Sequence, residues 1–377
     1  MKRLTFLLIL MLSVISLWGQ QEKQQWEEQR KKEREQWEQQ NRREWEAWQQ
    51  RNAAERQLWQ DMIDRESAEW KAHVAAVRKL WKDIRFSDVK HWVGYGPNKS
   101  SRFEADFDNG KLTIEVLGSP STSRGKLQQQ AIEILHQVLN TRAAPDEHPI
   151  LQDQLPITPT INRLPAKYVE THSYTAPDGE NFQRLTIHIP FRQNHLRIRA
   201  QQVAPVVQRY CRKYNINPKL VMAIIHTESS FNPRAISTFA RSGGGYGHAY
   251  GLMQLVPESG GREAMEIIGG RGTPSPGILL NPEKNIELGV AYLSKLKRFY
   301  FSGVTHALNQ QYMMTAAYNT GPFNVARAFV QRKDVNAAVA MVNRMPPSNV
   351  YTHLLSHLPH TETRIYLQKV TNRMGLY

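Results

Sequence analysis

The stretch PKLVMAIIHTESSFNP, residues 218–233, decides how the second half of the chain reads. Asn217 and Pro218 supply an N-cap and a first helical residue. Leu220, Val221, Ile224 and Ile225 follow at the i, i+3, i+4 spacing of one apolar helical face. Glu228 falls four residues after Ile224 and three after Ile225, at the edge of that face. An ionised carboxyl loses hydration there, so its pKa is expected to rise until it can serve as a general acid near neutral pH. A glutamate that only pairs with an arginine or a helix N-terminus fits the same pattern. Glu228 taken alone leaves the two readings open.

Outward from this stretch, residues 197–377 read as helices joined by loops. HLRIRAQQVAPVVQRYCRKYN is the first helix, and RSGGGYGHAYGLMQ reads as a Gly-rich loop before a helix that starts near Pro257. NIELGVAYLSKLKRFY, QQYMMTAAYN and TETRIYLQKVTNRM continue the helical pattern. Residues 87–196 change to short alternating runs. RFEADFDNGKLTIEVL holds two strand-like segments around Asp108-Asn109-Gly110, a strong hairpin signal. A helix over about 123–142, a Pro-rich connection at 145–165, and the strands YVETHSY and RLTIHIPF around PDGEN complete a small α+β domain. Nothing in that domain reads as chemistry.

Residues 20–93 contain no Gly and no Pro and are rich in helix formers. All nine tryptophans fall in the first 92 residues, and Trp26, Trp37, Trp48, Trp59, Trp70, Trp81 and Trp92 are spaced by eleven. Eleven residues make close to three helical turns, so the tryptophans from 26 to 81 form one drifting stripe, the pattern of a right-handed coiled coil. A long Trp-striped helix over 20–86 that self-associates is the preferred reading. A stiff spacer, a surface for stacking glycans, and a lone amphipathic helix lying on the same protein are the alternatives. Trp92 belongs to the next domain, because Phe86-Ser87-Asp88 reads as a break. Ahead of the helix, Lys2 and Arg3 precede an apolar run from Thr5 to Trp18 that is too short for a bilayer span. Residues 1–19 therefore read as a signal peptide cleaved after Gly19, with an uncleaved anchor as the alternative. The expected location is the periplasm or cell envelope. The one cysteine, Cys211, allows no intrachain disulfide and sits where a small core residue is expected.

Net charge is +15, and residues 201–377 carry 19 Lys and Arg against 8 Asp and Glu. The excess favours a polyanionic partner, in an exported protein a wall polymer, anionic lipid or extracellular nucleic acid. Its basic residues are scattered and that half has no Trp, so nucleic-acid binding is set aside. His353, His357 and His360 have a spacing that suits a metal, but Pro359 interrupts the helix. A surface histidine face is expected, with no metal and no cofactor.

Glu228 keeps particular company: Ser229, Phe231 and Pro233, then Ser237, then Gly251-Leu252-Met253-Gln254, then Ala317-Tyr318-Asn319, then Glu362-Thr363-Arg364 with Tyr366. Over roughly 200–377 this ordered set resembles the family 1 lytic transglycosylases. GTPSPGILLNPEKNIELGVAYLSKL and VYTHLLSHLPHTETRIYLQKV resemble the C-type membrane-bound murein enzymes within that family, and FEADFDNGKLTIEVL resembles their accessory domain. The resemblance implies an α+β multidomain chain: signal peptide (1–19), striped helix (20–86), accessory domain (87–196) and an all-α lysozyme-like catalytic domain (197–377). It implies non-hydrolytic cleavage of the bond between N-acetylmuramic acid and N-acetylglucosamine in peptidoglycan strands, with Glu228 as acid and then base. Ser237 and Gln254 would hydrogen-bond an N-acetyl group or the catalytic carboxyl, and Met253 would pack beneath a sugar. Tyr318 and Asn319 would face the same cleft, and Tyr366 would support Glu228. The chain lacks the lipid-anchoring cysteine of the C-type enzymes, which leaves membrane attachment open, and its loop from Ser237 to Gly251 is longer. A goose-type lysozyme and a noncatalytic wall-binding scaffold are the rival readings.

Overall fold

The computed structural model describes residues 68–158, 160–240 and 246–377, together with scattered helical positions between 28 and 46. The expected signal peptide, and Trp26, Trp37, Trp48 and Trp59 with the coiled coil they suggest, lie outside the described residues. The chain divides into two units, Met1–Ala76 and Val77–Tyr377. In the first, residues 68–76 are helical, and the exposed Trp70 stacks on His73 with ring centroids 5.6 Å apart.

The second unit contains a sheet and a helical domain, each with its own apolar core. Strands β1 (His91–Tyr95), β2 (Ser101–Asp106), β3 (Lys111–Gly118), β4 (Val169–Thr175) and β5 (Asn181–Pro190) form one antiparallel sheet in the order β1-β2-β3-β5-β4. Asp106 accepts the amides of Asp108 and Asn109, and Gly110 takes φ +66°, which closes the β2–β3 hairpin with Asp106 opposite Lys111. Helix α1 (Arg124–Asn140) starts on Ser123, whose side chain accepts the Lys126 amide. It lays Leu127, Ala131, Leu135 and Val138 over Leu112, Ile114, Val116, Leu185 and Ile187.

Alternation sends the intervening residues to the other face, where Arg102, Thr113, Glu115 and Thr186 are buried although polar. Trp81 ends up on this unit and not on a stripe. It sits one residue past the end of the helix, 1% exposed, in a cluster with Val77, Leu117 and Tyr174. Its Nε1 donates to the Lys99 carbonyl at 2.7 Å and the Arg102 guanidinium lies 4.0 Å over its ring. Burial of a large ring with its one polar atom satisfied outweighs the eleven-residue periodicity.

The helical domain opens with α2 (His195–Tyr214), which holds Pro205, and turns through Asn215 into α3 (Pro218–Ser229). Asn217 caps α3 through the Lys219 amide at 3.0 Å. Every residue from Leu220 to His226 is buried, so α3 is surrounded on all sides and not only along one face. The expected Gly-rich loop is instead a hairpin of β6 (Ile236–Ala240) and β7 (Tyr246–Tyr250), with Ser237 opposite Ala249 and a tip outside the described residues. A π-helical turn leads into α4 (Arg262–Ile267), followed by α5 (Pro276–Leu279), α6 (Pro282–Lys295), α7 (Ala307–Thr320), α8 (Pro322–Val330), α9 (Val335–Val342), α10 (Pro347–His357) and α11 (Thr361–Arg373). Helix α11 packs against both α3 and α7, which brings three distant segments to one place.

Cys211 is buried in this core, and burial pushes its thiol up to about 12, so it is an inert packing residue. His353 stacks between Phe329 and His357 and contacts the Ala328 carbonyl at 2.8 Å, which gives it a packing role. Among the described residues no helix is long and apolar enough to cross a membrane, and no group of three or more His, Cys, Asp or Glu is placed to hold a metal.

Candidate active site

Glu228 lies in the last turn of α3 and keeps part of its surface open. The chain then reverses sharply. Ser230 (φ 49°) and Phe231 (φ 62°) are consecutive left-handed residues, a conformation that a bulky side chain rarely takes and that surrounding contacts must hold. The buried Ser229 hydroxyl donates to the carbonyls of Ile225 at 3.0 Å and Leu252 at 2.8 Å, which ties the end of α3 to the Gly251–Gln254 turn.

That turn has its own keystone. Gly251 (φ +77°) sits so close to the Leu279 carbonyl and the Asn285 amide that a Cβ would meet them at 2.3 and 2.5 Å. Asn285, fully buried on α6, donates to the carbonyls of Tyr250 and Leu279 and accepts the Met253 amide at 2.7 Å. Gln254 follows with φ 48°, and its Nε2 donates to Ala235 and Gly251 carbonyls, whereas its Oε1 is buried with no partner. A buried acceptor without a donor is unusual in a folded protein.

The expected side chains distribute unevenly. Tyr318, on α7, donates to the Met253 carbonyl at 2.8 Å and stacks obliquely on Tyr292 at 5.6 Å. Tyr366, on α11, is nearly buried, and its hydroxyl lies against the Glu228 carboxyl without reaching the geometry of a full hydrogen bond. Asn319 accepts from Thr363 Oγ1 at 2.7 Å, which joins α7 to α11 beside the site. Ser237 is half-buried on β6. Met253 is fully buried with its thioether against Gly289 on α6, so its side chain has no surface to offer a sugar, and its backbone bonds to Asn285 and Tyr318.

The electrostatics agree with the geometry. Burial pushes the Glu228 carboxyl up to about 8. The Tyr366 hydroxyl opposes that rise, the Glu362 charge adds to it, and Lys90 works against it. At pH 7 such a group is largely protonated. Tyr318 and Tyr366 are themselves pushed well above the usual phenol range, first by burial and then by the neighbouring carboxyl, so both stay neutral. The remaining glutamates on α4 and α6 are occupied elsewhere. Glu263 and Glu266 pair with Lys295, Glu283 with Arg209, and Glu287 with Lys213 and Lys284. A carboxylic acid near neutrality, with an open side and phenols around it, can give up a proton and take one back.

The sequence pattern does not single out Asn285, or the groups that reach the end of α3 from the sheet, Lys90 and Asp108. Their partners are distant in sequence, as with Ser230 and Asp108, which are 122 residues apart.

The helical domain that holds Glu228 is the part of the chain matched, over residues 205–340, by the family model described as the Transglycosylase SLT domain. A membrane-bound lytic murein transglycosylase C of Histophilus somni is 32% identical over 308 residues, spanning 76% of this chain and 80% of that protein. The protein of the same name from Pectobacterium atrosepticum is 32% identical over 311 residues, with 78% and 84% covered. The chain belongs to the membrane-bound lytic murein transglycosylase C family. A solved lytic transglycosylase Slt from Pseudomonas aeruginosa covers 48% of this chain and 27% of its own, at 23% identity and a TM-score of 0.33.

Proposed function

We propose that this protein cleaves peptidoglycan glycan strands as a lytic transglycosylase, with Glu228 as its one acid and base. The observation that carries the reading is a single half-open carboxyl held protonated near pH 7, against two neutral phenols, at the meeting of α3, α7 and α11. Protonated Glu228 donates to the glycosidic oxygen between N-acetylmuramic acid and N-acetylglucosamine, and the C1–O bond breaks. The carboxylate formed then takes the proton of the muramic acid C6 hydroxyl, whose oxygen closes onto C1. The product is a 1,6-anhydro sugar, Glu228 ends protonated as it began, and no water is consumed. Two-carboxylate hydrolases need a second acidic partner. Among the described residues Glu362 is the other carboxyl whose charge reaches Glu228, and it is exposed in the first turn of α11.

The unpaired Gln254 Oε1 suits the N–H of an acetamido group, and Ser237, Asn319 and the Met253 backbone complete the wall of the cleft. The excess positive charge of the helical domain suits an anionic wall polymer. Export through residues 1–19 to the cell envelope, and self-association through the Trp-striped segment, belong to the same proposal.

Mass spectrometry of muropeptides released from purified peptidoglycan tests it. The full-length protein is expected to release products lighter by one water than reducing-end muropeptides, and Glu228→Gln is expected to release none. Reducing-end products would identify a hydrolase and turn attention to Glu362. Binding without release by the wild type would identify a scaffold.

A further inference from the structure

The end of α3 is held from outside its own domain. Lys90, immediately before β1, donates its ammonium to Ser230 Oγ in a short contact and lies 3.5 Å from Asp108. The Ser230 hydroxyl donates in turn to Asp108 Oδ1 at 2.9 Å, so the three groups close a ring. Arg199, buried on α2, spans the same junction: one arm donates to the Phe107 carbonyl at 2.7 Å, Nε to the Ser230 carbonyl at 3.1 Å, and another nitrogen to Gln154 Oε1 at 2.8 Å. Asn232 reaches the carbonyls of Asp88 and Val89. The contacts that reach the reversal fall on Ser230, two residues after Glu228, and on Asn232; these flank the left-handed Phe231, and Ser230 is left-handed as well.

Left-handed backbone at two non-glycine residues in succession persists only when its surroundings fix it. The helical domain supplies the Ser229 hydrogen bonds and the Arg199 Nε bond to the Ser230 carbonyl, and the sheet domain adds Lys90, Asp108 and the carbonyls of Asp88 and Val89. We propose that the sheet domain is a positioning element of the catalytic site: the Lys90–Asp108–Ser230 ring and the Arg199 bridge hold the reversal after α3 and thereby aim the Glu228 carboxyl. Lys90 and Asp108 are positioning residues and touch no substrate. This rests on Glu228 being the acid, so the tests are chosen to fail separately: Glu228→Gln abolishes release under that reading, whereas the ring variants must slow it in a particular way.

In the full-length protein, Lys90→Met and Asp108→Asn are each expected to lower kcat about tenfold, the size of effect that a small misplacement of a catalytic group produces. KM is expected to stay within about twofold, because no substrate contact is lost. The double variant is expected to be no slower than the worse single one, since both break one ring, and Lys90→Arg is expected to restore most of the rate.

The pH profile supplies a readout that mere destabilisation does not move. Glu228 faces Tyr366 and Glu362 on α11, Tyr318 on α7, and Lys90 from the sheet domain. Of these Lys90 is the cation, so its removal is expected to carry the alkaline limb to higher pH, whereas Asp108→Asn keeps that cation. If Lys90→Met does not fold, Asp108→Asn, isosteric and at a half-exposed position, decides by kcat and KM alone. Variants with unchanged kcat overturn the proposal. So does a raised KM with kcat intact, which would make this edge of the sheet domain a strand-binding surface instead.

Discussion

Two glutamates in this protein, the buried Glu115 and the half-buried Glu228, meet opposite fates. Glu115 lies on β3 with Arg102 Nε at 2.6 Å, Arg85 at 3.4 Å and Arg184 at 3.8 Å, and Arg102 also spans to Asp83 at 2.9 Å. Glu228 is half-buried against phenols, with one ammonium acting on it and a second carboxyl opposing that ammonium. Burial raises the cost of charge in both places. Three guanidiniums meet the cost at Glu115 and make the group an ionic strut beneath Trp81. At Glu228 protonation meets it, and a proton that is held only by burial can be transferred. The distinction between a structural and a chemical carboxyl therefore lies in the cations around it and in the open side that Glu228 keeps.

The largest expected effect breaks the structural side. Arg102→Met leaves Glu115 short of its closest partner and is expected to cost about 3 kcal/mol of stability, read as a lowered denaturation midpoint, while kcat per folded molecule stays unchanged. A loss of kcat without a loss of stability would erase the difference between the two carboxyls. A smaller effect sharpens the chemical side. Glu228 must be protonated to start the reaction, so the rate is expected to fall as pH rises through about 8. Tyr366→Phe removes a group that favours the carboxylate, so the falling limb moves to higher pH. Glu362→Gln removes a charge that disfavours it, so the limb moves to lower pH. Rate–pH profiles of the two variants check the opposite signs, and shifts in the same direction would refute the assignment of either neighbour.

The same contrast shows what a sequence can carry. Glu228, Gln254 and Tyr318 stand out in one dimension because their ordered motifs resemble those of the family, and the fold brings the α3, α7 and α11 segments that carry Glu228, Tyr318 and Tyr366 to one place. The β2–β3 hairpin was legible from Asp108-Asn109-Gly110, whose backbone demands are local. The β6–β7 hairpin was not, because three glycines in a row read as a loop while its pairing depends on residues on both sides of them. Trp81 matched a helical spacing and still left the helix, since a buried ring with a satisfied N–H counts for more than a periodicity. Met253 was placed by type, and only the fold shows that Gly289 receives its side chain. The ring of Lys90, Asp108 and Ser230 was beyond reach altogether. Each member is an ordinary surface residue until two domains bring them together.

The most direct test of the central claim is the titration of Glu228 itself. Carbon-13 NMR of the full-length protein labelled at the glutamate carboxyl, compared with Glu228→Gln, isolates its resonance. A carboxyl that titrates near 8 is the predicted result. One that titrates at or below the ordinary value of about 4.3 would mean that Glu228 is ionised at neutral pH and unable to open the reaction as an acid.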